Sequence, residues 1–165
     1  MIDKATSGPS PPEQIFVFVE IPKGSQNKYR YNEELGTIVL ENVLRKPCPG
    51  SYGFIPKTKY DDGFPLDVLV LVSEAVQSGI LIQARPIGLL RMITGEYTDD
   101  KLLAVPANDK EFSKVSDISD IPKYTLKEVT DFFEHAEGEK FKEWFDAEKA
   151  KKAILHAIEL YKRGF

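Results

Sequence analysis

The 165 residues are 42% hydrophobic and 29% charged, with a formal net charge of −4. That length and balance describe one ordinary domain able to bury a core, and they exclude a global basic field for nucleic acid. Cys48 is the one cysteine, which rules out an intrachain disulfide and fits a reducing cytoplasm, and no apolar run approaches the roughly 20 residues of a membrane helix.

Residues 1–14, "MIDKATSGPSPPEQ", lack the apolar core of a secretory signal and read as an extended N-terminal arm, with residues 15–165 as a single domain. "IFVFVEIP" is β-branched and aromatic and stops at a proline, as a strand does. "KYRY" and "TIVLENVL" follow, separated by "NEELG", a hairpin signal closed by Gly36. "SYGFIP" is a short strand, and "LDVLVLV" is a continuous apolar run expected to be buried on both faces. "ILIQARPIGLLRM" holds Pro86 and Gly88, a pair expected to bend a strand at a barrel corner. "KLLAVP" is read as the last strand, after a polar loop "TGEYTDDKLL" that carries Asp99 and Asp100.

The period then changes. "TLKEVTDFFEHAE" opens with Thr125 and has Glu128 three residues on, a capping-box pattern, and Gly138 ends or interrupts it. Asp146 precedes "AEKAKKAILHAIELYKR", whose Ala150, Ile154, Ala157, Ile158 and Tyr161 share one helical face. Strands first and helices last make an α+β protein, a small closed sheet with helices on one side.

"YDDGFPLD" sets Asp62 and Asp67 five residues apart across a turn that Gly63 and Pro65 shape. If the loops before two neighbouring strands open at one end, Asp62, Asp67 and Asp99 converge as three oxygen ligands, the chemistry of a magnesium site. From spacing alone, turn aspartates that cap loop amides are the plainer reading. Lys28 and Lys101 stand near the same elements, and a lysine beside a metal binds phosphate oxygens. Glu20 and Tyr52 sit at strand ends, as core trim or as pocket wall. Two histidines, His135 and His156, give no zinc pattern, and Cys48 has no evident partner base.

The order "EIPKGSQNKY", "GSYGFIP", "DGFPLDVLVL", "SGILIQARPIGLLRM", "DDKLLAVP", "FFEH" resembles the soluble single-domain inorganic pyrophosphatases of bacteria and archaea, from about Ile15 to the C-terminal helix. The resemblance implies a five-stranded OB-like closed β-barrel flanked by two C-terminal helices, a homohexamer, and Mg2+-dependent hydrolysis of pyrophosphate to two phosphates. It implies no nucleic-acid or membrane partner. By this resemblance Asp62, Asp67 and Asp99 are metal ligands central to catalysis, and Lys28, Tyr52, Lys101 and Glu20 bind or shape the phosphate site. The chemistry implied is two-metal phosphoryl transfer, in which cations neutralise charge and generate hydroxide.

The departures fall in the pocket. Against the family pattern, Phe64 replaces the aspartate that activates water, and Arg30 reverses the charge of a glutamate. Asn42 stands for a phosphate-binding arginine, Thr94 for an aspartate, and Ala136 and Glu137 for a Tyr-Lys pair. Arg45, Lys46, Glu96 and Asp100 are the candidates to compensate. The resemblance therefore leaves three readings: an impaired inorganic pyrophosphatase, an enzyme for an organic diphosphate or phosphate ester, or a non-catalytic homologue that binds metal and phosphate.

Overall fold

The computed structural model describes residues 2–164. The strands are β1 (Ile15–Ile21), β2 (Asn27–Asn32), β3 (Thr37–Val43), β4 (Ser51–Phe54), β5 (Asp67–Val70), β6 (Leu81–Thr94) and β7 (Tyr97–Pro106). Helix α1 (Lys123–Ala136), strand β8 (Lys140–Phe145) and helix α2 (Ala147–Arg163) complete the chain. The main sheet runs β1-β4-β5-β7-β6-β8, and β1 also pairs with β6. Five strands thus close into a ring, with β8 added outside β6 and β2–β3 as a separate hairpin. The expected closed five-stranded sheet with two C-terminal helices holds.

Closure depends on the length of β6. Its first half pairs with β1 from Leu81 to Ala84, its second half pairs with β8, and β7 lies along nearly all of it. The β6–β7 register shifts between Pro86 and Gly88, where the sequence predicts a bend. A proline has no N–H to give the ladder, so an extra residue there lets the strand turn the corner.

Both faces of the ring are covered. Val68, Val70, Leu102 and Ala104 point to a core shared with Ala150, Ile154 and Ala157 of α2. Leu69, Leu71, Leu103 and Val105 point the other way, to Val129, Phe132 and Phe133 of α1. That two-sided burial is what the unbroken apolar run of β5 encodes. On α2 the predicted face is largely buried, but Tyr161 lies near the helix end and stays 48% exposed.

Three local expectations need correction. Helix α1 begins at Lys123, behind Pro122, and Thr125 is inside its first turn, not its cap. Pro122 supplies a preset φ of −57°, and its carbonyl accepts the N–H groups of Thr125 and Leu126, so no side-chain cap is used. Asp99 and Asp100 belong to β7 itself, because the β6–β7 hairpin turns tightly at Gly95 and Glu96 and pairing starts at Tyr97. Strand β8 has no counterpart in the sequence reading. In the N-terminal segment, Ser7 is buried and its hydroxyl donates to the Pro56 carbonyl at 2.7 Å.

Candidate active site

A cleft of about 1070 Å³ opens between the β2–β3 hairpin, the β4–β5 turn and the start of β7. All seven residues singled out by sequence line it: Glu20, Lys28, Tyr52, Asp62, Asp67, Asp99 and Lys101. Two features of β geometry bring them there. β5 and β7 run parallel, with Asp67 opposite Lys101. Side chains alternate along a strand, so Asp99 and Lys101 share the cleft face while Asp100 takes the other.

Asp100 shows the consequence. It forms a bidentate pair with Arg91 at 2.7 and 2.9 Å and accepts from the Tyr60 hydroxyl, away from the cleft. Glu96 is an exposed turn residue, and neither Arg45 nor Lys46 lines the cleft. None of the four candidate compensators enters the site. Asp61 also points elsewhere, 2.8 Å from His156 on α2.

The Asp62 turn is built by local hydrogen bonds and a glycine. Gly63 has φ of 83°, a conformation that glycine adopts without strain. The Asp62 carboxylate accepts from the Phe64 N–H at 2.9 Å, and the Phe64 carbonyl accepts from Tyr60 N–H at 2.7 Å. Phe64 is therefore held by its main chain, and its ring is 57% exposed at the cleft edge.

Lys101 occupies the centre. Its ammonium lies 3.1 Å from Asp99, 3.5 Å from Glu139 and 3.9 Å from Asp67, and donates to the Tyr52 hydroxyl at 3.0 Å. Burial would lower the Lys101 pKa, but Tyr52 and the surrounding acids hold it well above the ordinary lysine value. Withdrawal from water pushes Asp67 up to about 6 against the pull of Lys101, with Asp99 and Asp62 adding repulsion. Burial likewise pushes Glu20 to about 7, although the Tyr31 N–H bonds to it.

Glu139 is the residue that sequence reasoning missed. It is buried and accepts from the Thr94 hydroxyl at 3.1 Å. Desolvation pushes it to about 8, while Asp99, though burial opposes it, is lowered by Lys101 and by Glu139.

The substituted positions pair with their surroundings. Glu137 ties down Lys28 at 3.0 Å, Arg30 meets Glu41 at 3.4 Å, and its guanidinium stands 5.7 Å from the Phe64 ring centroid. Asn42 lies opposite Lys28 in the hairpin and outside the cleft wall.

Oxygen-only carboxylate donors fit a hard divalent cation. Among the described residues, no three His, Cys, Asp or Glu side chains already converge into a ligand set. The Lys101 ammonium supplies the positive charge between Asp67, Asp99 and Glu139.

The metal-free protein should lose thermal stability as pH rises. In the folded protein Glu20, Asp67 and Glu139 are pushed up to about 7, 6 and 8, from ordinary carboxylate values of 4.5, 3.8 and 4.5. Between those limits the folded state holds more protons than the unfolded chain, so each unit of pH weakens it. Melting curves in chelator from pH 5 to 9 should fall and then level off above about 8. Glu20→Gln should flatten part of the fall, and a curve that rises over this range would contradict the assignment.

The family profile described as inorganic pyrophosphatase matches residues 17–162. Inorganic pyrophosphatases of Haloferax volcanii and Picrophilus torridus are 42% and 37% identical, over 96% and 94% of this chain and 94% and 92% of theirs. The crystal structure of the inorganic pyrophosphatase from Thermus thermophilus superposes with a TM-score of 0.93 at 35% identity, covering 98% of each chain. Inorganic pyrophosphatases are generally metal-dependent. From near the start of β1 to the end of α2, this chain belongs to the inorganic pyrophosphatase family.

Proposed function

We propose that the cleft hydrolyses pyrophosphate to two phosphates with Mg2+, more slowly than relatives that keep an aspartate at the Phe64 position. The observation that carries this reading is the gathering of Glu20, Lys28, Tyr52, Asp62, Asp67, Asp99 and Lys101 in one cleft. Asp62, Asp67 and Asp99 would hold Mg2+, which when bound neutralises diphosphate charge and acidifies water. Lys101 and Tyr52 are preorganised donors for phosphate oxygens, and Lys28 is a third once it exchanges Glu137 for the anion. Glu20 sits beyond them and anchors the hairpin through Tyr31.

A second reading rests on Phe64. An exposed ring capped by the Arg30 guanidinium offers a stacking surface beside the phosphate donors, which would suit an organic diphosphate or phosphate ester. Phosphate release measured with pyrophosphate and with a panel of organic diphosphates separates the two. The first reading expects pyrophosphate to be turned over with Mg2+ and release to stop with chelator. Turnover of an organic diphosphate alone favours the second, and no turnover of either leaves a binding homologue.

We further infer a cytoplasmic homo-oligomer, a hexamer by family resemblance. Exposed Leu35, Leu40 and Val43 on the β2–β3 hairpin support an interface, and sedimentation velocity tests it. No described helix is long and apolar enough to cross a membrane.

A further inference from the structure

We propose that Glu139, carried on the turn between α1 and β8, is a positioning residue that supplies through space the carboxylate lacking at position 94. The inference rests on the cleft being a metal and phosphate site, and it adds a member that the family motifs do not mark.

Position 94 ends β6 on the cleft face, two residues beyond Met92 and four beyond Leu90, both in the same core as Tyr52 and Phe133. Threonine there reaches only far enough to donate its hydroxyl, and the acceptor is Glu139 Oε2. The other oxygen, Oε1, faces Lys101 at 3.5 Å. Both carboxylate oxygens are thus directed at cleft residues, and the group is 6% exposed. A carboxyl group withdrawn from water needs partners for its oxygens, and the partners here are the Thr94 hydroxyl and the Lys101 ammonium.

The backbone that delivers Glu139 is specific. Gly138 has φ of 71°, which breaks α1 in the left-handed region. The Glu139 N–H then bonds to the Phe133 carbonyl at 3.1 Å, so the residue is pinned over the end of the helix rather than left on a free loop. Phe133 in turn packs under Lys101, whose ammonium is 4.7 Å from its ring centroid. One helix end therefore sets both the floor and one wall of the Lys101 site. The acids around Lys101 come from β5, β7 and this turn, so Glu139 and Asp99 approach the same ammonium, at 3.5 and 3.1 Å, from two different elements.

The test is a carboxylate exchange. Titration calorimetry with Mn2+ alone should show uptake by the wild-type protein and weakening by about 10- to 100-fold in Glu139→Gln, the range for removal of an outer partner of a metal site. Thr94→Asp with Glu139→Gln should recover most of that loss, because the acid returns from β6. Glu139→Asp keeps the carboxyl group but draws it back by one methylene, so it should bind at an intermediate level, and it serves if the Gln variant does not fold. Unchanged Mn2+ affinity in either single variant, or a double variant no better than Glu139→Gln, would overturn the role of Glu139 while leaving the cleft as the metal site. Absence of Mn2+ uptake by the wild type would instead overturn the functional reading and this inference with it.

Discussion

Phe64→Asp should raise the kcat for pyrophosphate, by about 10-fold alone and toward the 10²–10⁴ range of a general base when Arg30→Glu is added. Position 64 is held only through its own main-chain groups: its N–H donates to the Asp62 carboxylate and its carbonyl accepts from the Tyr60 N–H. The ring is exposed and belongs to neither core, so its replacement should change stability by no more than about 0.5 kcal/mol. An aspartate would thus inherit the backbone position unchanged and face the cleft. The Arg30 guanidinium now above the ring would then sit beside a carboxylate. An adjacent cation favours the charged form and depresses its pKa, which makes it a weaker base. Arg30→Glu removes that cation, and Glu41, its present partner, is left on the open hairpin. Steady-state phosphate release at saturating Mg2+ is the measurement. No gain in either variant, with folding and Mn2+ affinity intact, would mean that water is not activated from this position. If the same variants lose turnover of an organic diphosphate, the ring was a substrate surface.

The site was legible where chemistry and strand period coincide. Asp99 and Lys101 are two apart and Asp67 begins a buried run, so register alone brings them together once β5 and β7 pair. The corner in β6 was legible because Pro86 and Gly88 mark it inside a long apolar segment, whereas the count of five strands came from the family resemblance. What escaped depends on geometry that no local pattern carries. Asp99 and Asp100 look equivalent in sequence, and only pairing from Tyr97 separates them, one to Lys101 and the other to Arg91. Strand β8 reads "KFKEWF", largely exposed and directly after a helix, and it exists because the far half of β6 offers an unpaired edge. Glu139 sits in a run of polar residues, "AEGEK", where any acid passes for a solvated turn. Its burial follows from where Gly138 ends α1 relative to β6, a tertiary distance invisible to spacing. The apparent losses at Arg30, Phe64 and Glu137 read as unrelated in sequence, whereas in the fold each has its own partner across the cleft rim.

Lys101→Met should destabilise the metal-free protein by about 3–5 kcal/mol, the usual cost of removing one partner from a buried ion pair. At about 2–4 °C per kcal/mol for a chain of this length, the melting temperature should fall by roughly 6–20 °C. Methionine keeps an unbranched apolar stem against Tyr52 and Phe133, so lost packing is minor and the missing charge dominates. The Lys101 side chain is 5% exposed, and water cannot readily take the place of its ammonium beside Asp99 and Glu139. The pH dependence tests this cause. Lys101 now lowers the pKa of Asp67 and of Glu139, and without it both would bind protons more readily. The loss should therefore be largest above pH about 8 and shrink below about 6, where these acids are neutral in the variant and need no counter-charge. A divalent cation should recover more stability in Lys101→Met than in the wild type, since it restores positive charge among acids that the lysine no longer neutralises. A variant that melts like the wild type at pH 8 in chelator would show that those acids are already neutral, and the electrostatic account of the cleft would fail.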